Sequence, residues 1–142
     1  MTIDPTTWSK LHGATTHFPI ALMLVSAFCD GASLACGKAD WQRALRSTAT
    51  VTVVLGALGS YAAVATGLIV AKWQFWGHGT LLHHHQFVWP AFALMVGLAT
   101  WRAAARFSPS RKPPIAYLIL MVFAAALMSG AGYWGGELLN HG

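Results

Sequence analysis

Seven histidines, at positions 12, 17, 78, 83, 84, 85 and 141, are the residues of this chain best suited to chemistry. Imidazole titrates near neutrality, ligates haem iron, copper and zinc, and carries protons. Two of the seven stand in HGATTHFPIAL (12–22), three form the run HHH (83–85), one lies in WQFWGHGTLL (73–82) and one in GGELLNHG (135–142). No Ser-His-Asp order, Walker loop, dinucleotide-binding glycine pattern or CxxCH haem-attachment motif accompanies them. Any haem is therefore expected to be held without a covalent link.

The elements that must position these rings are apolar. Of 142 residues, 56% are hydrophobic and 9% charged, against about a quarter charged in a soluble domain. So few charges cannot cover a water-exposed surface, and an integral membrane protein is expected. Four stretches reach the roughly 20 apolar residues of a membrane span: about 17–36, 48–71, 86–105 and 115–134. The expected fold is all-α, a single four-helix transmembrane domain over 1–142. No Lys or Arg precedes Lys10 and the first apolar run is span-length, so no cleavable signal peptide is expected. Cys29 and Cys36 are about 10 Å apart along one helix, too far to pair with each other.

Lys38, Arg43, Arg46, Arg106, Arg111 and Lys112, with Arg102 just inside, flank one side of the four spans; Lys10 and Lys72 flank the other. The positive side is expected to be cytoplasmic. Both termini and the second loop then face the periplasm, in a multi-pass protein of a bacterial inner membrane. Trp8, Trp73, Trp76, Trp89 and Trp134 fall at that outer level, as an aromatic belt does. The net charge of +5 reads as orientation beside apolar spans, not as a nucleic-acid footprint.

This topology puts all seven histidines at the outer face. Ionisable groups at membrane level are functional by default, and three uses fit: haem ligand, copper or zinc ligand, and proton carrier near a quinone. His12 and His17, if helical, are separated by about 7.5 Å of rise and ~140° of rotation, so they are not the two ligands of one haem. By depth, His17 is expected to pair with His84 or His85 of the third span. His12 and His141, which are shallower, would form a second haem site or hold a quinol or a propionate. His84 shares a helical stripe with Val88, Ala91, Met95 and Arg102, and His85 shares one with Trp89, Phe92 and Val96; which stripe faces inward stays open. His83 reads as interfacial.

Copper or zinc is the competing expectation, with ligands from the same cluster: His12, His17, His84, His85 and His141. Zinc takes three or four ligands, and successive residues of HHH point ~100° apart on a helix, so at most one or two reach one ion. Asp30, deep in the first span, is expected to be structural: reaching the inner interface, bonded to Ser33, or paired with Arg102, with a proton path as the alternative. Gly56, Gly59, Ala63 and Gly67 of the second span, and Ala124, Ala125, Ser129, Gly130 and Gly132 of the fourth, let helices approach closely or leave room for a flat cofactor.

The stretches HGATTHFPIAL and GGELLNHG resemble the end motifs of a bacterial family of four-helix membrane proteins, domain of unknown function 2231. The resemblance extends to Asp30 and to a histidine opening the third span. It implies the fold and a shared site at these positions, and it implies no activity.

The reading that unites these features is a b-type cytochrome-like subunit. It would bind one or two non-covalent haem b groups at the periplasmic face and pass electrons between quinol and a periplasmic partner such as a cytochrome c. Small outer loops suit a subunit of a redox complex better than a stand-alone enzyme. A copper- or zinc-binding membrane protein and a structural subunit of a larger complex are the alternatives.

Overall fold

The computed structural model describes residues 5–104 and 112–140, and they form four helices. These are α1 (Pro5–Ala35), α2 (Ala39–Val70), α3 (Thr80–Ala104) and α4 (Ile115–Asn140). Each contains an apolar window long enough to cross a membrane. The helices run well past the apolar stretches seen in the sequence. Hydropathy marks where a chain meets hydrocarbon, whereas backbone hydrogen bonding carries a helix on through the polar interface. Pro5 opens α1 at the position where its missing N–H costs nothing. His12 therefore lies two turns inside a helix, and His83–His85 lie within the first turns of α3.

The exterior is as apolar as the interior. Phe18, Phe28, Leu58, Ile115, Ile119, Val122 and Phe123 are all more than half exposed. Only 22–33% of each span window is buried inside the protein. A bilayer covers such a surface at no cost, while water would not. The core is built from Met23, Val53, Ala57, Ala91, Met95, Leu98, Tyr117, Met121, Ala124 and Met128.

α1 packs most extensively on α2 and α3 on α4, and the α2–α3 and α1–α4 seams close the ring. The bundle is thus two hairpins docked side by side. Glycine lets the α1–α2 pair approach: a Cβ on Gly59 would stand 2.8 Å from Phe18 Cδ1, and one on Gly56 3.3 Å from Leu22 Cβ.

At the end where α2 begins, a buried polar network ties all four helices. Asp30 and Arg102, 0% and 2% exposed, form a two-pronged ion pair: Nη2 bonds Oδ1 at 3.0 Å and Nη1 bonds Oδ2. Arg102 also donates to Thr50 Oγ1 (2.8 Å), Tyr117 Oη (3.3 Å) and the Arg46 carbonyl (3.0 Å). Arg46, itself 3% exposed, donates to Ser33 Oγ at 3.2 Å. Of the expectations for Asp30, pairing with Arg102 is the one observed. Ser33 bonds the Asp30 main-chain carbonyl, not its carboxylate. Arg46 is not a loop charge, because α2 starts seven residues before it.

The two hairpins are internal equivalents. Asp30 and Arg102 are 72 positions apart, and the same offset relates the buried pairs Pro19/Ala91, Met23/Met95 and Ser26/Leu98. In α2 and α4 a constant offset of 68 relates Ala49/Tyr117, Val53/Met121, Gly56/Ala124 and Ser60/Met128, all buried in the structure. One pattern of inward residues is used twice. The arrangement corresponds to parallel repeats related by an axis along the bundle, the second repeat running in the same sense as the first.

Candidate functional site

The histidines of the described residues gather at the opposite end of the bundle from Asp30 and Arg102. Helix period explains which of them meet. His12 and Asp30 are 18 residues apart on α1, and so are His84 and Arg102 on α3. Eighteen residues make five turns and about 27 Å of rise, so each histidine sits on the same helix face as the ion-pair partner below it. The ion pair fixes the register of two parallel helices. His12 and His84 consequently sit at one level of the bundle, each on the helix face that carries its ion-pair partner.

Both rings are held in the same manner. Nδ1 of His12 bonds the Ala63 carbonyl of α2 at 3.1 Å, with Thr66 Oγ1 at 3.2 Å. Nδ1 of His84 bonds the Ala131 carbonyl of α4 at 2.9 Å. A carbonyl only accepts, so Nδ1 carries the proton in each ring and Nε2 carries the lone pair. Metal-ligating histidines are oriented by this kind of bond. The glycine one turn beyond each acceptor makes room for the ring. A Cβ on Gly67 would stand 2.8 Å from His12 Cε1, and a Cβ on Gly135 3.3 Å from His84 Cε1. Thr15 Oγ1 bonds Thr66 Oγ1 at 3.0 Å and completes the polar cradle around His12.

The remaining histidines are placed differently. His17 is exposed, and its Nδ1 returns to the Gly13 carbonyl of its own helix at 2.5 Å. It makes no hydrogen bond or ring contact with His84 or His85, so the pair expected from depth is not brought together. His85 is 6% exposed, with its ring centroid 5.8 Å from that of His84 and 6.0 Å from that of Trp89. His83 is exposed and stacks on Trp134 at 4.8 Å. His78 is exposed in the α2–α3 loop. His141 lies outside the described residues. Of the two stripes left open on α3, the one carrying Ala91, Met95 and Arg102 faces inward. Among the described residues no three His, Cys, Asp or Glu side chains converge as a metal cluster.

Sequence reasoning missed the acceptor carbonyls of Ala63 and Ala131 and the hydroxyl of Thr66. The small residues Ala63, Gly67 and Ala131 carried part of that signal, since a ring from a neighbouring helix fits only where side chains are small.

A family model described as "Predicted membrane protein (DUF2231)" matches residues 9–142. The chain belongs to this family. The match takes in all seven histidines and nearly all of both hairpins of the DUF2231 chain. No curated protein and no solved structure matches the chain.

Proposed function

We propose that this DUF2231 protein is a b-type cytochrome-like electron-transfer subunit. It holds haem between His12 and His84 and passes electrons between quinol and a periplasmic redox partner such as a cytochrome c. The observation that carries this reading is the matched pair of Nδ1-to-carbonyl bonds, which leaves two Nε2 lone pairs from facing helices. Haem needs only two protein ligands of this kind. Zinc needs three or four, which the described residues do not bring together, so the copper or zinc alternative has less support.

Bound there, haem would supply a one-electron relay. The protein's own residues do the positioning. The Ala63 and Ala131 carbonyls fix the tautomers, Gly67 and Gly135 admit the rings, and the Asp30–Arg102 pair holds α1 and α3 in register. His17, expected from depth to be an axial ligand, is assigned no ligation in this reading, because its ring lies on the exposed side of α1.

The proposed setting is the bacterial inner membrane with the histidine end outward. Arg46 and Arg102 are buried in the ion-pair network and drop out of the count of interfacial charges. Lys38, Arg43 and Lys112 remain exposed at the far end, against Lys10 and Lys72 at the histidine end. The excess still favours a cytoplasmic far end.

The test is a reduced-minus-oxidised absorption spectrum of protein expressed with ample haem, followed by pyridine-haemochrome analysis. A sharp α-band of b type is expected. No bound haem would sink the reading, and metal analysis of the same sample would then divide a copper or zinc protein from a structural subunit.

A further inference from the structure

His85 is not explained by the paired site beside it. The residue is only 6% exposed, yet among the described residues its Nδ1 is the buried side-chain polar atom without a hydrogen-bond partner. Such atoms are rare, and a ligand is one of the few things that accounts for them. The repeat offset of 72 equates His85 with Gly13 and His17 with Trp89. The half containing α3 thus carries His85 where the other half has Gly13, and Trp89 where the other half has His17.

The surroundings have a definite chemistry. The Trp89 ring lies on one side of His85, and its Nε1 donates to the Phe75 carbonyl at 2.8 Å. The Phe75 ring stacks on Trp89 at 6.1 Å with 22° between the planes. The backbones of Phe75 and Trp76 approach the imidazole at hydrogen-bonding range, without meeting hydrogen-bond geometry at Nδ1. Both belong to the 71–79 loop, in which Lys72 (φ 51°) and Trp73 (φ 62°) both occupy the left-handed region, followed by Gly77 (φ 66°) and Gly79 (φ 57°). Consecutive non-glycine residues in that region are uncommon and persist where the surroundings enforce them. Trp73, Phe75 and Trp76 are more than half exposed at the same level, where the amphipathic rings of an interface belong.

We infer that His85, Trp89, Phe75 and the 71–79 loop form a quinol-headgroup site, one headgroup hydroxyl hydrogen-bonded to Nδ1 and its ring lying against the two aromatic planes. The assignment rests on the electron-transfer reading above and adds the donor's position to it. A hydroxyl can pair with Nδ1 as donor or as acceptor, a flat apolar ring suits the Trp89–Phe75 surface, and the bilayer brings such a molecule to this depth. His84, 5.8 Å away between ring centroids, sets the site beside the proposed relay. Nδ1 is covered in the present arrangement, so entry requires the loop to move off the ring.

The experiment uses full-length protein in lipid nanodiscs, titrated with a short-chain ubiquinol and followed by tryptophan quenching. An azido-ubiquinone label mapped by mass spectrometry locates the site. Saturable binding is expected, with labelling confined to residues 72–89. His85→Phe should weaken binding on the order of tenfold, the effect of one hydrogen bond at a buried site. His85→Gln, which keeps a polar end, should recover part of that loss and serves as the test if the phenylalanine variant does not fold. His83→Ala, at an exposed ring, should bind like the parent. No saturable binding, labelling elsewhere, or His85→Phe and His85→Gln both binding as tightly as the parent would overturn the inference. The titration is run on haem-loaded and haem-free protein. A missing α-band with His85-dependent binding intact refutes only the haem reading, and a normal α-band without such binding refutes only this one.

Discussion

Asp30 of α1 and Arg102 of α3 clasp each other across the bundle, 72 residues apart in the chain and almost wholly hidden from the surroundings. Their clasp sets His12 and His84 at one level, because each histidine stands five helical turns above one of the two. A structural ion pair at one end of the molecule thus sets the alignment of a candidate cofactor site at the other.

Breaking the clasp from one side should cost more than removing it. Asp30→Leu or Arg102→Leu alone leaves a buried charge uncompensated and should destabilise the protein by about 3–5 kcal/mol. The double variant should recover much of that loss. Arg102→Lys should not restore the parent, since an ammonium cannot reach Asp30, Thr50, Tyr117 and the Arg46 carbonyl together. Unfolding in mixed detergent, followed by circular dichroism, measures all four. A loss in the double equal to the sum of the two single losses would show that the pair is not coupled.

His12→Ala and His84→Ala should each abolish the b-type α-band, while His17→Ala leaves it in place. Spectra of the three variants at matched protein concentration decide the point. A band lost only with His17 would return ligation to the pair expected from depth.

The glycines beside the rings should rank by the space they leave. Gly67→Ala puts a methyl group against His12 at 2.8 Å and should lower haem content several-fold, whereas Gly135→Ala, at 3.3 Å from His84, should lower it less. Gly136→Ala meets nothing within 4 Å and should raise stability by about 0.5–1 kcal/mol, the helical preference of alanine over glycine. Haem-to-protein ratios and melting curves of the three variants test the order.

Orientation has its own measurement. Alkaline phosphatase fused after Gly142 should be active and β-galactosidase at the same position inactive. The reverse pattern would place the histidine end in the cytoplasm and remove the periplasmic partner from the proposal.

Much of this was legible in the sequence, and the remainder failed for identifiable reasons. Apolar length gave the four helices, and the rule that buried charges pair gave Arg102 as a partner for Asp30. The same hydropathy reading left Arg46 as a loop charge, because a window average cannot show that a helix has begun at Ala39. Rotation separates the expected His17 pairing from the arrangement observed. Depth was estimated from the apolar edge, but two rings meet only if their helices also turn them toward each other. The equal 18-residue spacings of His12–Asp30 and His84–Arg102 held that information. Combined with the expected ion pair, they pointed to His12 as the residue facing His84. The sequence marks His85 as a candidate ligand, but its unpartnered nitrogen depends on how the 71–79 loop folds over it, which no periodicity encodes.

The twofold use of one hairpin has a consequence for biogenesis. His12 belongs to the first hairpin and His84 to the second, so neither half carries both rings of the proposed site. A cofactor gripped by both can be loaded only after the second hairpin has been inserted and docked on the first. Haem capture would then act as a proofreading step, locking mature molecules and leaving half-inserted ones to quality-control proteases.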